Sequence, residues 1–388
     1  MFGIGRNGAK KHLSSMVYGI RFQLFCSKAD ELVVHFMVNS LGFSTKEAIS
    51  TSAKVTRSRL RNYEPLLLLD LFHKIGLNKS QMKTLVSSSP KLLFCDIDTT
   101  LKPKIKVLQQ LNLSGSDLVT LIGKSDFLRR GLHTTIKPTL DYLRELLGTH
   151  DSVAMLLKKE PRLISQNISK VLPPNIALLR NLGFSQIDIA TFFQRYPRCL
   201  LRNPVCLQRV VHQAEEIFHI PRGSRMFLHG IAALVPLHES TLERKLDIYR
   251  SFGWSHSDIC TMVRKLPSCL TSSDAKIRIT LKFFMNELGY EPSYLASHAP
   301  LLKHSLEKRI MPRNEIFKFL KENQLIKRKL SLYTVVSSSE AVFQKKYLLP
   351  FRKKMPELYD LYIKVARQRE VSTVVAKQCL LERFLFDS

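Results

Sequence analysis

Acidic residues are what this chain has too few of. Across 388 residues, 32 Asp+Glu face 60 Lys+Arg, a formal net charge of +28. A protein so basic is matched to a polyanionic partner. The seven cysteines, Cys26, Cys95, Cys199, Cys206, Cys260, Cys269 and Cys379, are odd in number and never spaced as CxxC, which excludes a disulfide scaffold or a structural zinc site. No HExxH occurs, and no apolar run approaches the roughly 18–20 residues that span a bilayer. With 15 Gly, 17 Pro and 45% apolar residues the chain is neither fibrous nor disordered by composition, and it can bury a core. No segment alternates apolar and polar residues long enough to suggest a sheet.

Acid is absent altogether from the first 29 residues, which carry Arg6, Lys10, Lys11, Arg21 and Lys28 among serines and interrupted apolar residues. A secretory signal needs a continuous apolar core, so this segment is expected to be an organelle import sequence, directing the protein to the mitochondrial matrix or, alternatively, the chloroplast stroma.

What the chain does contain is a repeat. The words LGFSTKEAI (41–49), IGLNKSQM (75–82), LNLSGSDL (111–118), LGFSQIDI (182–189) and FGWSHSDI (252–259) align without gaps. Each ends one helix at a glycine-like position and opens the next with a capping box: Ser44/Glu47, Asn78/Gln81, Ser114/Asp117, Ser185/Asp188 and Ser255/Asp258. One period of about 35 residues explains every gap, with further units expected at Gly148, near Ile220-Pro221-Arg222 with the glycine displaced to Gly223, and at Gly289. A proline follows each marker by about 11–14 residues, at Pro90, Pro161, Pro197, Pro267 and Pro300, and stops the first helix. Phe127 stands where one proline is expected, and Pro236 is shifted. Amphipathic runs such as 101–111, 137–147, 172–182 and 241–252 supply the second helix. Units of this kind bury their apolar faces only by stacking, so the fold expected is all-α, a curved array of helix pairs.

The pairing of LGFSxxDI with a P-[KRS]-[LC]-L word at this period resembles the mitochondrial transcription termination factor (mTERF) family, and residues 36–55 and 343–362 resemble its land-plant branch. The resemblance implies a superhelical solenoid whose units each hold two α-helices and a short 3₁₀ turn after the proline. It further implies binding of organellar DNA or RNA, in transcription termination or in intron splicing and RNA maturation. Pentatricopeptide arrays share the period but lack the mid-repeat proline with its paired leucines. The organisation expected is an import segment at 1–29, a solenoid over 30–348 and a basic helical tail over 349–388.

Chemistry-bearing motifs are missing. Gly123-Lys124-Ser125 has Leu118 where a phosphate loop needs glycine, Asp96 and Asp98 read as turn and cap residues, and Trp254 fills a core slot. No catalytic residue, metal or cofactor is expected, nor a membrane. The basic surface remains: Arg57, Arg59, Arg61, Arg129, Arg130, Arg162, Arg198, Arg202, Arg264, Lys265, Lys308, Arg309 and Arg313, several beside the proline landmark and so at a common height in successive units. Two readings follow for a monomeric array: a binder of organellar nucleic acid, or a scaffold docking acidic protein partners.

Overall fold

The computed structural model describes residues 28–54, 64–326 and 329–364. The expected import segment before Lys28, the stretch holding Arg57, Arg59 and Arg61, and the tail beyond residue 364 lie outside the described residues. Every regular element among those described is helical, and none is a strand. The chain divides into two compact units, one ending at Ile168 and the other beginning at Ser169.

The repeat is written in the backbone. Nine residues with positive φ recur at intervals of 34–36: Gly42, Gly76, Asn112, Gly148, Gly183, His219, Gly253, Gly289 and Gln324. At Gly183 the amide bonds back to the Arg180 carbonyl (2.9 Å) and the Phe184 amide to that of Leu179 (3.2 Å), the two bonds of a Schellman turn. The residue after the turn then drops into the core, as with Phe43, Leu77, Leu113, Phe184, Ile220 and Trp254, all buried. His219, not the displaced Gly223, is the left-handed residue of its unit, so a side chain accepts a conformation costing roughly 1–2 kcal/mol.

Four of the five expected capping boxes form, those of Ser44, Asn78, Ser185 and Ser255, each with its side chain taking the N3 amide and the N3 side chain returning to the cap amide. The Ser114/Asp117 box does not. Gly115 adopts φ 49°, ψ −119° directly after Ser114, so the helix cannot start there and begins at Ser116. Asp117 instead meets Lys158 of the following unit at 2.8 Å.

Proline then stops each first helix. The preceding residue is pushed out of the helical region at Ser89, Glu160, Tyr196 and Leu266, as the ring requires. A 3₁₀ turn follows over Pro90–Phe94, Pro161–Ser165 and Pro267–Thr271, whereas Pro197–Leu200 and Pro300–Lys303 each wind into a single α-turn. Phe127 opens the same turn without proline because its wholly buried ring anchors it. At Pro236 no 3₁₀ turn follows the proline: the Leu237 amide closes a single turn on the Leu234 carbonyl (2.9 Å), and the helix ending at Leu234 leads to one starting at Glu239.

A second set of bonds joins neighbouring repeats. Asn175 at the start of helix Leu172–Asn181 reaches the next repeat's turn, donating through Nδ2 to the Leu200 and Arg202 carbonyls, both at 2.8 Å. Lys104 donates likewise to the Leu128 carbonyl (2.8 Å), Lys245 to Ser272 (2.5 Å) and Lys276 to Lys303 (2.7 Å). These carbonyls have no helical partner where the turn ends, and buried donors from the preceding repeat satisfy them. Arg313 is the largest of the series: its guanidinium is fully buried, donates to the carbonyls of Val335 (3.0 Å), Val336 (3.1 Å) and Ser338 (2.7 Å), and pairs with Glu340 at 2.9 Å. Tyr362 donates to the other Glu340 oxygen (2.8 Å), tying the 356–364 helix to the same node. Beside it, burial together with the charges of Arg309, Arg313 and Lys276 holds the His304 imidazole down at about 4.

Two stability experiments check this account. Ser185→Ala should cost about 1 kcal/mol in urea denaturation through its lost cap, while Asn175→Ala should cost about 2–3 kcal/mol because two buried carbonyls lose their donor. Asn175→Asp, which sets a carboxylate against those carbonyls, should be worse than alanine. For His304 the folded value lies below the unfolded value of about 6.5, so the unfolded chain takes up the proton first as pH falls. Stability should therefore hold above about pH 6.5 and decline from there toward about pH 4, and His304→Gln should show a shallower decline over that window.

Candidate nucleic-acid interface

Charge is sorted by the direction of the first helices. Their opening turns carry acids at Glu47, Asp117, Asp151, Asp188 and Asp258, and their closing turns carry Lys124, Lys158 and Lys159, Arg195, and Arg264 with Lys265. Each set complements the helix dipole, so the arrangement favours folding in its own right. It also gives the repeats whose first helices open at Ser116, His150, Gln186 and His256 an acidic cap end and a basic proline end.

The two ends differ in how their charges are spent. At the cap end Glu47 pairs with Lys83 of the next repeat at 2.9 Å, and Asp117 with Lys158. Lys83 and the Ser44 cap together lower the Glu47 carboxyl to about 2. At the proline end Arg130, Arg162, Arg202 and Lys265 are exposed and make no ion pair among the described residues. Arg129 meets only Asp126, loosely, at 3.8 Å. Arg198 is exposed on the Pro197–Leu200 turn, and Arg264 donates to its own helix at Thr261 Oγ1 (3.0 Å).

In the first unit these residues line concave surface. A cavity of about 360 Å³ lies between the Phe127 and Pro161 turns and is lined by Lys124, Arg130 and Arg162 with Ser125, Ser165 and Gln166. A neighbouring one of about 240 Å³ is bounded by Lys54, Lys91 and Arg129. Gly123, Ser125 and Asp126 line both. The Gly123-Lys124-Ser125 triplet, which fails as a phosphate loop, thus sits between two concavities lined by three cations each. Lys54, Lys91 and Lys124 are missing from the residues picked from sequence, although each lies next to a helix end or proline word that the repeat alignment locates.

The sequence-picked set does not all reach this surface. Lys308 is exposed, but Arg309 turns its guanidinium inward to the Val336 (2.9 Å) and Ser338 (2.5 Å) carbonyls. Arg313 is wholly interior and serves as an inter-repeat tie, so it is unavailable to a ligand. The signal that separates it from its neighbours is Pro312-Arg313, which matches Pro103-Lys104 and Pro174-Asn175 at the start of the second helix, where the residue after proline turns inward.

Among the described residues no group of three His, Cys, Asp or Glu could hold a metal ion, and no helix is long and apolar enough to cross a membrane. Asp96 caps a turn through the Thr99 amide (2.7 Å), and Asp98 pairs with Lys102. Burial pushes the Cys199 and Cys269 thiols up to about 12, far from reactive thiolates.

Comparison with known proteins places this architecture. In Arabidopsis thaliana the chain is 23% identical to transcription termination factor MTERF8, chloroplastic, over 60% of its own length and 46% of the relative's. It is 23% identical to transcription termination factor MTEF18, mitochondrial, over 62% and 53%, and 20% identical to transcription termination factor MTERF15, mitochondrial, over 71% and 54%. The chain spans about half the length of these relatives. The mTERF family profile matches residues 69–128 and 124–344, covering most of the helical repeats, the whole lining of the larger basic cavity and all but Lys54 of the smaller. The chain belongs to the mTERF family.

Proposed function

We propose that this protein binds nucleic acid along the proline ends of its repeats and acts in organelle gene expression, in transcription termination or in RNA maturation. The observation carrying this reading is the contrast between the two ends of the first helices. The cap-end acids Glu47 and Asp117 are paired with lysines of the next repeat, whereas Arg130, Arg162, Arg202 and Lys265 at the proline ends are exposed and make no ion pair among the described residues. A phosphate backbone supplies anions at regular intervals, and several repeats offer it one or two basic side chains. The relatives, named as transcription termination factors of chloroplast and mitochondrion, agree with this reading, and the basic, acid-free residues 1–29 suit import into either organelle.

Binding of this kind is electrostatic. Arg130→Ala, Arg162→Ala, Arg198→Ala and Arg264→Ala should each weaken binding across sequences and flatten the dependence of log K on log salt by about 0.9 per lost contact on duplex DNA. Arg313→Ala should instead lower the urea midpoint by an amount worth about 3–5 kcal/mol, since it breaks the buried pair with Glu340 and removes the side-chain donor of the Val335 carbonyl, while Arg309 still reaches Val336 and Ser338. Titrations followed by fluorescence anisotropy at several salt concentrations read both effects. Wild-type affinity and slope in all four surface variants would point to a different surface, and partners of the purified protein that survive nuclease unchanged would favour the protein scaffold. A fluorescent fusion of the full chain should enter an organelle and lose roughly its first 25–30 residues, as import sequences do.

A further inference from the structure

Which polymer the basic edge takes is readable from the lining of the larger cavity, granted that the edge binds nucleic acid at all. Its three cations supply only part of the lining. Ser125 Oγ donates its proton to the Leu121 carbonyl (2.5 Å) and Ser165 Oγ to that of Arg162 (3.0 Å). Both serines line the cavity, Ser125 half-buried and Ser165 almost wholly buried, and with those protons committed their oxygens have lone pairs alone to offer a ligand. The carboxylate of Asp126, only loosely held by Arg129 at 3.8 Å, adds further acceptor capacity.

A bare phosphate has no use for acceptors, and next to it they are unfavourable. The sugar of a deoxyribonucleotide inside a strand has no hydroxyl to donate to them. A ribonucleotide has one: its phosphate meets Lys124, Arg130 and Arg162, and its 2′-hydroxyl offers a proton to Ser125 or Ser165, one donor per ribose. The volume, about 360 Å³, is within the range of small-ligand sites. Gly123 lines both cavities and packs against Ser88, where a Cβ would stand 2.8 Å from Ser88 Oγ, and Lys54 and Lys91 border the second cavity, suited to another phosphate.

We propose that this cavity is a ribonucleotide site which makes the protein prefer RNA to DNA, its cations holding phosphate and the Ser125 or Ser165 hydroxyl oxygen accepting the proton of a ribose 2′-hydroxyl. The proposal rests on the nucleic-acid reading above, and the test separates the two. Full-length protein is titrated at fixed salt with single strands of one sequence made as RNA, as DNA and as 2′-O-methyl RNA, which keeps the 2′ oxygen but has no proton to give. RNA should bind about threefold to tenfold more tightly than DNA, the worth of one or two neutral hydrogen bonds, and 2′-O-methyl RNA should fall to the DNA level. Ser125→Ala and Ser165→Ala should bring the RNA-to-DNA ratio close to one, while Arg130→Gln should weaken both polymers and leave the ratio standing. Should Ser165→Ala disturb its turn, as its circular dichroism would show, Ser125→Ala and the methylated strand on wild-type protein still decide the matter. Equal binding of RNA and DNA by the wild type, or a preference that survives methylation or both serine changes, overturns the ribonucleotide site and leaves nucleic-acid binding intact. Failure of every strand to bind overturns both.

Discussion

A helix that ends inside a stack leaves carbonyl oxygens with nowhere to turn, and this protein answers that constraint at almost every repeat. Proline or a buried phenylalanine stops the first helix, the chain makes a tight turn, and the last carbonyls face the preceding repeat. There a buried lysine, asparagine or arginine donates to them. Burying Lys104 has a cost, visible in a pKa pulled below the usual lysine range by desolvation, and the Leu128 carbonyl offsets part of it. Because donor and acceptor belong to consecutive repeats, the bond that satisfies one helix end also fixes the spacing of the next unit. Repeat spacing, turn geometry and the height of the basic residues beside each turn all follow from it.

The surface charge follows from the same plan. In four of the first helices cations at the closing turn complement the dipole, and acids do so at the opening. The acids are close enough to the next repeat to find lysines, as Glu47 and Asp117 do, whereas Arg130, Arg162 and Arg202 project past the turns into solvent. The basic edge is thus a by-product of helix stability that a polyanion can exploit, and it need not have been assembled residue by residue.

How much of this was legible in the sequence depends on range. Glycine before serine, with an acid or amide three places on, is a local signal, and the boxes at Ser44, Asn78, Ser185 and Ser255 form as read. Where locality was broken by one residue the reading failed: Gly115 displaced the cap at Ser114, and His219 took the left-handed position assigned to a displaced Gly223. Asn112, His219 and Gln324 show that the backbone demands the conformation while tolerating residues other than glycine. The ties were invisible because their partners lie 22–29 residues apart, so Arg313 read as a surface cation like Arg162 although it is an interior strut. The cavities were invisible too, since no spacing rule brings Lys124, Arg130 and Arg162 around one hollow.

One boundary departs from the pattern. Helix Pro204–His212 follows proline with Val205, which is exposed and whose side chain has nothing to donate, and the next repeat passes Pro236 through a bend closed by the Leu237 amide on the Leu234 carbonyl (2.9 Å) in place of a 3₁₀ turn. Buried donor and 3₁₀ turn are replaced together. Elsewhere in the second unit adjoining repeats are pinned by donors that reach the backbone of the next turn, whereas this boundary is linked side chain to side chain, Tyr196 to His229 at 3.4 Å and Arg209 to Glu239 at 3.8 Å. In a row of stiffly coupled springs it is the softer coil, held by contacts that can slide while the repeats on either side keep their shape.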